Sequence, residues 1–182
     1  MKEPESKKKS RGEQFIQYII KMIASSKAKA AALKRADNPS LEYQSWEILN
    51  RFGIDLTDQQ ERSIFCLIAA AAAKAKVEED GSLGIGEALA NCYENKFESG
   101  QACTKLRRLI ACDSITELYV VLRPMLQFIS SKIGPRLCYA RLLDELIKFN
   151  WQPLKVKSSW AQKFYFQKQI KEKEEEEEND VC

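Results

Sequence analysis

The side chains that could do chemistry in this chain are thiols, carboxylates and cations, because its 182 residues include no histidine. Without histidine the chain lacks the commonest general base and metal ligand, and it cannot form a Ser-His or Cys-His nucleophilic pair. Its six cysteines include no C-x-x-C pair, so their spacing predicts neither a zinc site nor a thioredoxin-like centre. Four of them lie in apolar helical stretches, where buried free thiols are expected. We therefore expect no metal and no cofactor.

Carboxylates could still perform acid-base chemistry, and one cluster of them stands out. Glu78, Glu79 and Asp80 precede Gly81 in a polar stretch that is typical of a solvated helix end followed by a turn. The pattern does not pair two carboxylates across an apolar pocket, which general acid-base catalysis would require. The sequence therefore predicts a protein that is not an enzyme and has no catalytic residues. An enzyme that works with carboxylates alone is the most distant alternative.

Cations are the third group, and they are distributed unevenly along the chain. The net charge is +3 over residues 1–11 and −5 over residues 171–182. Because the whole chain carries +3, residues 12–170 carry +5 and are more basic than the total suggests. A basic body of this kind attracts polyanions such as nucleic acids.

Within the body, the basic residues form three clusters that contain no acidic residue. Surface helices that carry cations only for solubility would explain any one cluster, but three in one small body favour a polyanion partner. Such patches bind nucleic acid by releasing its condensed counterions. The candidate nucleic-acid-binding residues are Lys27, Lys34, Arg35, Lys105, Arg107, Arg108, Arg123 and Arg141.

Composition and periodicity predict that helices position these cations. The chain has 18 Ala and 17 Leu, whereas Val and Thr together number only 8. This composition favours an all-α fold over a sheet fold. The longest uncharged apolar run, residues 64–73, is too short to span a bilayer, and no signal peptide precedes it. We expect a soluble, cytoplasmic protein that makes no contact with membranes.

Breaks in the helical pattern predict two folded parts. The first is an N-terminal helical lobe over residues 13–95, and the second is a C-terminal four-helix bundle over residues 96–171. Residues 95–100 interrupt the pattern and form the expected boundary. Short connections suit an up-and-down bundle, whose helices are predicted at residues 101–112, 114–132, 135–149 and 156–171.

The two ends of the chain are predicted to lie outside the folded body. Residues 1–12 read as a basic flexible tail, and residues 172–182 as an acidic disordered tail whose consecutive glutamates repel each other. On the last bundle helix, Trp160 and Phe164 are four residues apart. Such an aromatic pair is expected in the core rather than stacked on a ligand.

A series of short motifs occurs along most of the chain in an order that resembles a known family. The motifs lie at residues 31–39 (AALKRADNP), 65–67 (FCL, before a small-residue helix), 83–90 (LGIGEALA), 98–99 (ES), 105–111 (KLRRLIA), 121–124 (VLRP) and 151 (W). The resemblance covers residues 15 to about 166. In this order they resemble the CasB family, the small subunit of the type I-E CRISPR Cascade effector complex.

The resemblance implies an all-helical, non-enzymatic subunit with a smaller N-terminal lobe and a C-terminal four-helix bundle. It also implies several partners: the backbone and large subunits of Cascade, the CRISPR RNA, the single-stranded DNA of the R-loop, and a second copy stacked head to tail. Basic residues in that family face the guide RNA–DNA hybrid and the displaced strand. The family's basic positions correspond here to Lys34, Arg35, Arg107, Arg108 and Arg123.

A generic helical adaptor, which binds proteins and no nucleic acid, is the main alternative. It predicts scattered surface charges and one exposed apolar patch. An enzyme predicts a concave pocket that holds at least two perturbed carboxylates. The nucleic-acid-binding hypothesis predicts instead that five cations form one continuous stripe in the folded chain: Lys34, Arg35, Arg107, Arg108 and Arg123.

Overall fold

The computed structural model describes residues 8–93 and 99–180, and every regular element within those ranges is a helix. The predicted all-α fold class is confirmed. A 3₁₀ helix, Glu42–Ser45, precedes the third of the α-helices. These are α1 (Arg11–Ser25), α2 (Lys27–Lys34), α3 (Trp46–Phe52), α4 (Gln59–Lys74), α5 (Ile85–Asn91), α6 (Ser99–Ile110), α7 (Ile115–Ile133), α8 (Tyr139–Phe149) and α9 (Pro153–Asp180).

Local hydrogen bonds at the helix ends explain where several helices begin. The Ser10 side chain accepts the Glu13 backbone N–H, and the Glu13 carboxylate accepts the Ser10 N–H in return, which makes a capping box at α1. Asp58 caps α4 by accepting the Gln60 and Glu61 backbone N–H groups, and Ser114 caps α7 by accepting the Glu117 N–H. Gly53 ends α3 in the left-handed conformation, with φ of 92°.

The last helix is longer than the sequence predicts at both ends. It begins at Pro153 rather than at residue 156, because proline is well suited to the first position of a helix. It continues through residues 172–180, where the sequence predicts a disordered acidic tail. Glutamate and lysine are good helix formers, and this propensity extends the helix despite the charge run. At the other end, the helix start at Arg11 shortens the expected tail, while residues 1–7 and 181–182 lie outside the described ranges.

Helices that are distant in sequence pack against each other around one continuous hydrophobic core. The main contacts join α5 to α9, α1 to α8 and α4 to α7. Trp160 and Phe164 are fully buried in that core, as the sequence predicts. The boundary predicted at residues 95–100 falls mostly on residues outside the described ranges. The division into two lobes therefore stays a prediction.

Two glycines allow helix pairs to approach closely. A Cβ atom on Gly12 of α1 would lie 2.1 Å from the backbone oxygen of Ala140 in α8. The Gly12 N–H also donates to the Asp144 carboxylate at 2.9 Å. A Cβ atom on Gly86 of α5 would likewise lie 2.1 Å from the Trp160 backbone oxygen in α9. Only glycine fits at such contacts without movement of a helix.

The polar segment between α4 and α5 is tied to the start of α8. The Asp80 carboxylate accepts the backbone N–H groups of Tyr139 at 2.8 Å and of Ala140 at 3.1 Å. The Gly81 N–H donates to the Leu137 carbonyl at 3.2 Å. Asp80 thus caps α8 from a distant part of the chain, although the sequence suggests only a solvated turn. No helix in the described ranges has the length and apolar character needed to cross a membrane.

Candidate nucleic-acid interface

A buried carboxylate connects the first basic cluster to α4 and α7. Asp37 lies just beyond α2, and only 6% of its side chain is exposed. Its Oδ2 atom accepts a hydrogen bond from Lys74 Nζ at 2.5 Å and another from Arg123 Nε at 3.3 Å. The Tyr119 hydroxyl of α7 donates to the Asp37 backbone carbonyl at 2.7 Å. Burial and the nearby Asp37 charge raise the pKa of Tyr119 to about 12, so this hydroxyl stays a donor at neutral pH.

A groove of about 230 Å³ opens beside this carboxylate, between α4 and α7. Its apolar part consists of Leu67, Ala71 and Leu126. Its polar part consists of Asp37 and five residues that can all donate hydrogen bonds: Lys74, Arg123, Gln127, Ser130 and Ser131. We call this feature the α4–α7 groove.

The first predicted cluster lies next to Asp37 along the chain. Lys34 is the half-buried last residue of α2, and Arg35 is exposed and donates to the Gln44 side-chain oxygen at 3.2 Å. Asp37 follows Arg35 by two residues and contacts Arg123, so the segment that carries Lys34 and Arg35 is joined to α7 at Asp37. Lys27 is exposed at the other end of α2, about 10 Å from Lys34 along the helix axis.

The second predicted cluster lies on α6. Lys105 is half-buried, and its Nζ atom lies 4.7 Å from the centre of the Phe128 ring of α7, a cation–π contact. Arg107 and Arg108 are exposed in the last turn of α6. Arg108 lines a shallow depression together with Val120, which is three residues before Arg123 on α7. The continuity of the predicted stripe from Arg123 to Arg107 and Arg108 stays a prediction.

Arg141 lies on a different surface from Arg123. It is on α8, and its Nη1 atom lies 3.5 Å from a carboxylate oxygen of Glu87. It lines a wide groove of about 1000 Å³ that is formed by α1, α8, α9 and residues 78–81. Six basic and six acidic side chains line this groove, so it lacks the excess of positive charge that a polyanion would favour.

One carboxylate in the wide groove is part of the helix packing. Trp160 Nε1 donates to Glu145 Oε2 at 2.6 Å, and Lys163 Nζ lies 3.8 Å from the other oxygen. Burial raises the pKa of Glu145, although the Trp160 hydrogen bond and the Lys163 charge oppose this effect. Across residues 8–93 and 99–180, no three cysteine or acidic side chains lie close enough together to hold a metal ion.

Sequence reasoning missed four residues that share the α4–α7 groove with Arg123: Lys74, Gln127, Ser130 and Ser131. Their spacing along α4 and α7 does indicate which of them lie on the same helix face. Lys74 lies on the same face of α4 as Leu67 and Ala71, at intervals of four and three residues. The same periodicity places the α7 groove residues on one helix face. Periodicity cannot identify which helix faces which, so the groove itself could not be predicted.

The sequence and the fold can be compared with known proteins. Residues 29–165 match the family model of the CRISPR-associated protein Cse2. The fold is similar to CasB of M. ruber, with 23% identity, a TM-score of 0.72, and coverage of 90% of this chain and 97% of that one. It is also similar to CasB of Thermus thermophilus, with 23% identity, a TM-score of 0.68, and coverage of 86% and 99%.

A second Thermus thermophilus structure, of a CRISPR-associated protein of the Cse2 family, gives the same values of identity, TM-score and coverage. No curated protein sequence is significantly similar to this chain. At this level of identity the structural similarities establish the fold, which agrees with the family match over most of the chain. The chain therefore belongs to the Cse2 family of CRISPR-associated proteins and is a Cse2/CasB-type subunit of Cascade.

Proposed function

We propose that this chain is a non-catalytic subunit of a CRISPR RNA-guided surveillance complex that stabilises the guide RNA–target DNA hybrid and the displaced DNA strand. The observation that carries the proposal is the contact between Arg123 and Asp37, next to Lys34 and Arg35. This contact links Arg123, a cation of one predicted cluster, to the acidic residue that lies two positions after Arg35 of another. The family to which the chain belongs supplies the context in which such a surface meets nucleic acid.

The physics of this role requires cations but no catalytic group. Exchange of a DNA duplex for an RNA–DNA hybrid is nearly balanced in free energy, so weak contacts to the nucleic-acid backbone can decide the outcome. A basic surface that holds the displaced strand opposes its return to the duplex. Such contacts go to phosphates, and we therefore expect little preference for DNA sequence. The guide RNA supplies the specificity.

Contacts with other proteins belong to the same proposal. We expect the chain to contact the backbone and large subunits and a second copy of itself, stacked head to tail, as the family resemblance implies. Exposed apolar side chains on this chain favour some protein contact. Trp151 is 62% exposed, and Leu154, three residues further along, is 76% exposed. These two residues also support the second candidate function, a protein adaptor that binds no nucleic acid.

Fluorescence anisotropy of a labelled, unstructured single-stranded DNA, measured over a range of salt concentrations, tests the proposal. If four or five phosphates are neutralised, the slope of log K against log salt is about −3. A variant without four of the predicted cations should bind more weakly, with a clearly flatter slope. This variant carries the changes Lys34→Ala, Arg35→Ala, Arg107→Ala and Arg108→Ala.

A matched control removes the same amount of positive charge from other exposed positions. It carries the changes Arg51→Ala, Lys132→Ala, Lys148→Ala and Lys155→Ala. We expect this control to keep most of the affinity and most of the salt slope, with circular dichroism showing that both variants fold. An equal loss in both variants would contradict the assigned surface. Absence of binding by the unmodified chain would favour the adaptor.

A further inference from the structure

We propose that the α4–α7 groove is a phosphodiester-binding site for single-stranded nucleic acid, and that Asp37 is a positioning residue that presets Lys74 and Arg123 for the phosphate. This inference rests on the proposed function and specifies where one phosphate of the strand is held.

The first argument is the difference in exposure between Asp37 and its two cations. Only 6% of the Asp37 side chain is exposed, whereas 35% of Lys74 and 45% of Arg123 are exposed. An incoming anion can therefore reach both cations while the carboxylate remains covered. Two cations and one carboxylate leave a net charge of +1, which one phosphodiester would neutralise.

The second argument is the hydrogen-bonding capacity that the Asp37 contacts leave. Arg123 meets Asp37 through Nε, which leaves the donors of its two terminal nitrogens directed elsewhere. Lys74 Nζ carries three donors, and the described contact with Asp37 uses one of them. Both side chains can thus hold a phosphate oxygen without release of Asp37.

The third argument is that Asp37 itself is fixed in place. Tyr119 and Arg123 are four residues apart on one face of α7, and both contact Asp37. Tyr119 holds its backbone carbonyl, while Arg123 and Lys74 hold its carboxylate. A cation pair that is ordered before binding loses less side-chain entropy when the ligand arrives.

The shape of the groove identifies the kind of ligand. Its volume of about 230 Å³ lies below the range of about 300–1,000 Å³ that is typical of small-molecule pockets. A segment of a strand that continues beyond the groove suits this space better than a free nucleotide. The apolar floor can accept a sugar face, while Gln127, Ser130 and Ser131 offer polar groups beside the two cations.

The change Asp37→Asn separates positioning from simple electrostatics. It removes one negative charge, so long-range electrostatics alone would increase the affinity for single-stranded DNA. If Asp37 positions Lys74 and Arg123, the affinity for a labelled oligothymidine of about fifteen nucleotides should instead fall, by about tenfold. Glu79→Gln is the matched control, because it also removes one negative charge but does so at an exposed site. This control should bind as tightly as the unmodified chain or slightly more tightly.

A second pair of variants tests the groove without disturbing a buried group. Gln127→Glu adds a negative charge beside Lys74 and Arg123, and Gln162→Glu adds the same charge at an exposed position of α9 that does not line the groove. Both changes are isosteric and lie on exposed helix surfaces. We expect Gln127→Glu to lower the affinity about tenfold relative to Gln162→Glu and to flatten the salt slope by about 0.7.

The results distinguish failure of the groove from failure of the proposed function. Weaker binding by both Asp37→Asn and Gln127→Glu than by their controls would support the groove. If the unmodified chain binds DNA, and Gln127→Glu binds it as tightly as Gln162→Glu, the groove is overturned while the proposed function stands. If the unmodified chain does not bind DNA even at low salt, both are overturned.

Discussion

Gly86 of α5 and Trp160 of α9 meet backbone to backbone, because a Cβ atom on Gly86 would lie 2.1 Å from the Trp160 carbonyl oxygen. The Trp160 side chain is fully buried, and its indole N–H is held by Glu145. Neither the backbone nor the ring of Trp160 is therefore free to move away. The contact between α5 and α9 depends on the absence of a side chain at residue 86.

The change Gly86→Ala should lower the free energy of unfolding by about 3 kcal/mol, because α5 and α9 must move apart to admit the methyl group. Urea denaturation followed by circular dichroism measures this value. Gly100→Ala is the matched control, since a Cβ atom at this helical position meets no atom within 4 Å. The control should raise the stability by about 0.5–1 kcal/mol, because alanine favours the helix. Equal effects of the two changes would contradict the close contact.

The change Asp80→Ala should lower the free energy of unfolding by about 1–2 kcal/mol, because the start of α8 loses the carboxylate that accepts two of its N–H groups. The exposed neighbour Glu79 provides the comparison, and Glu79→Ala should stay within about 0.5 kcal/mol of the unmodified chain. Hydrogen exchange of the Tyr139 and Ala140 amides provides a local measurement. Unchanged exchange of these amides in Asp80→Ala would refute the cap.

The raised pKa of Glu145 predicts how the variant Glu145→Gln responds to pH. A carboxyl group with a raised folded-state pKa binds its proton more tightly in the folded chain. Its favourable contribution is complete below the ordinary value of 4.5 and is lost as the pH rises through the folded-state pKa. Glutamine never ionises and can still accept the Trp160 hydrogen bond. The stability of Glu145→Gln relative to the unmodified chain should therefore increase as the pH rises above 4.5.

Urea denaturation at several pH values between about 4 and about 7 measures this difference, because it spans the ordinary glutamate range and the region above it. Glu79→Gln, which removes one charge at an exposed site, is the control. A pH-independent difference between Glu145→Gln and the unmodified chain would show that the folded chain does not hold this proton.

The buried thiol of Cys66 and the half-buried thiol of Cys138 should react slowly with an alkylating reagent in the folded chain. Burial raises the pKa of Cys66 to about 12 and that of Cys138 to about 11, against an ordinary value of 9.0. At pH near 8, the thiolate fraction is lower than in the unfolded chain by about a thousandfold for Cys66 and about a hundredfold for Cys138. Mass spectrometry after iodoacetamide treatment, with and without urea, measures both rates. Fast labelling of Cys66 in the folded chain would contradict its burial.

Much of the fold could be predicted because its signals are local. The turn at Gly53, the cap at Asp58 and the apolar periodicity of α4 lie within a few residues of the helix that they define. Asp80 could not be predicted, because its partners at Tyr139 and Ala140 lie on a helix almost 60 residues away. Helix α9 extends to Asp180, past the bundle helix predicted at residues 156–171, and its glutamate and lysine residues favour a helix.

In the candidate interface too, the features that are local in sequence could be predicted, and the contacts between distant helices could not. Charge segregation along the sequence identifies Lys34, Arg35 and Arg123 as candidates. It cannot show that Asp37, the first acidic residue after Lys34 and Arg35, accepts a hydrogen bond from Arg123. Lys74 was missed for the same reason, because its role depends on which side of α4 meets α7. Contacts between distant helices determine the site, whereas the sequence reports mainly on each helix by itself.

The contact between α1 and α8 also affects how the chain acquires its fold. Gly12 and Asp144, which share a hydrogen bond, are separated by 132 residues. At typical rates of translation, the ribosome needs on the order of ten seconds to synthesise that interval. During this time the side of α1 that meets α8 has no partner, and its apolar residues are open to wrong associations. We therefore expect the nascent chain to need protection until α8 emerges, and a premature stop before α8 to give an aggregation-prone product.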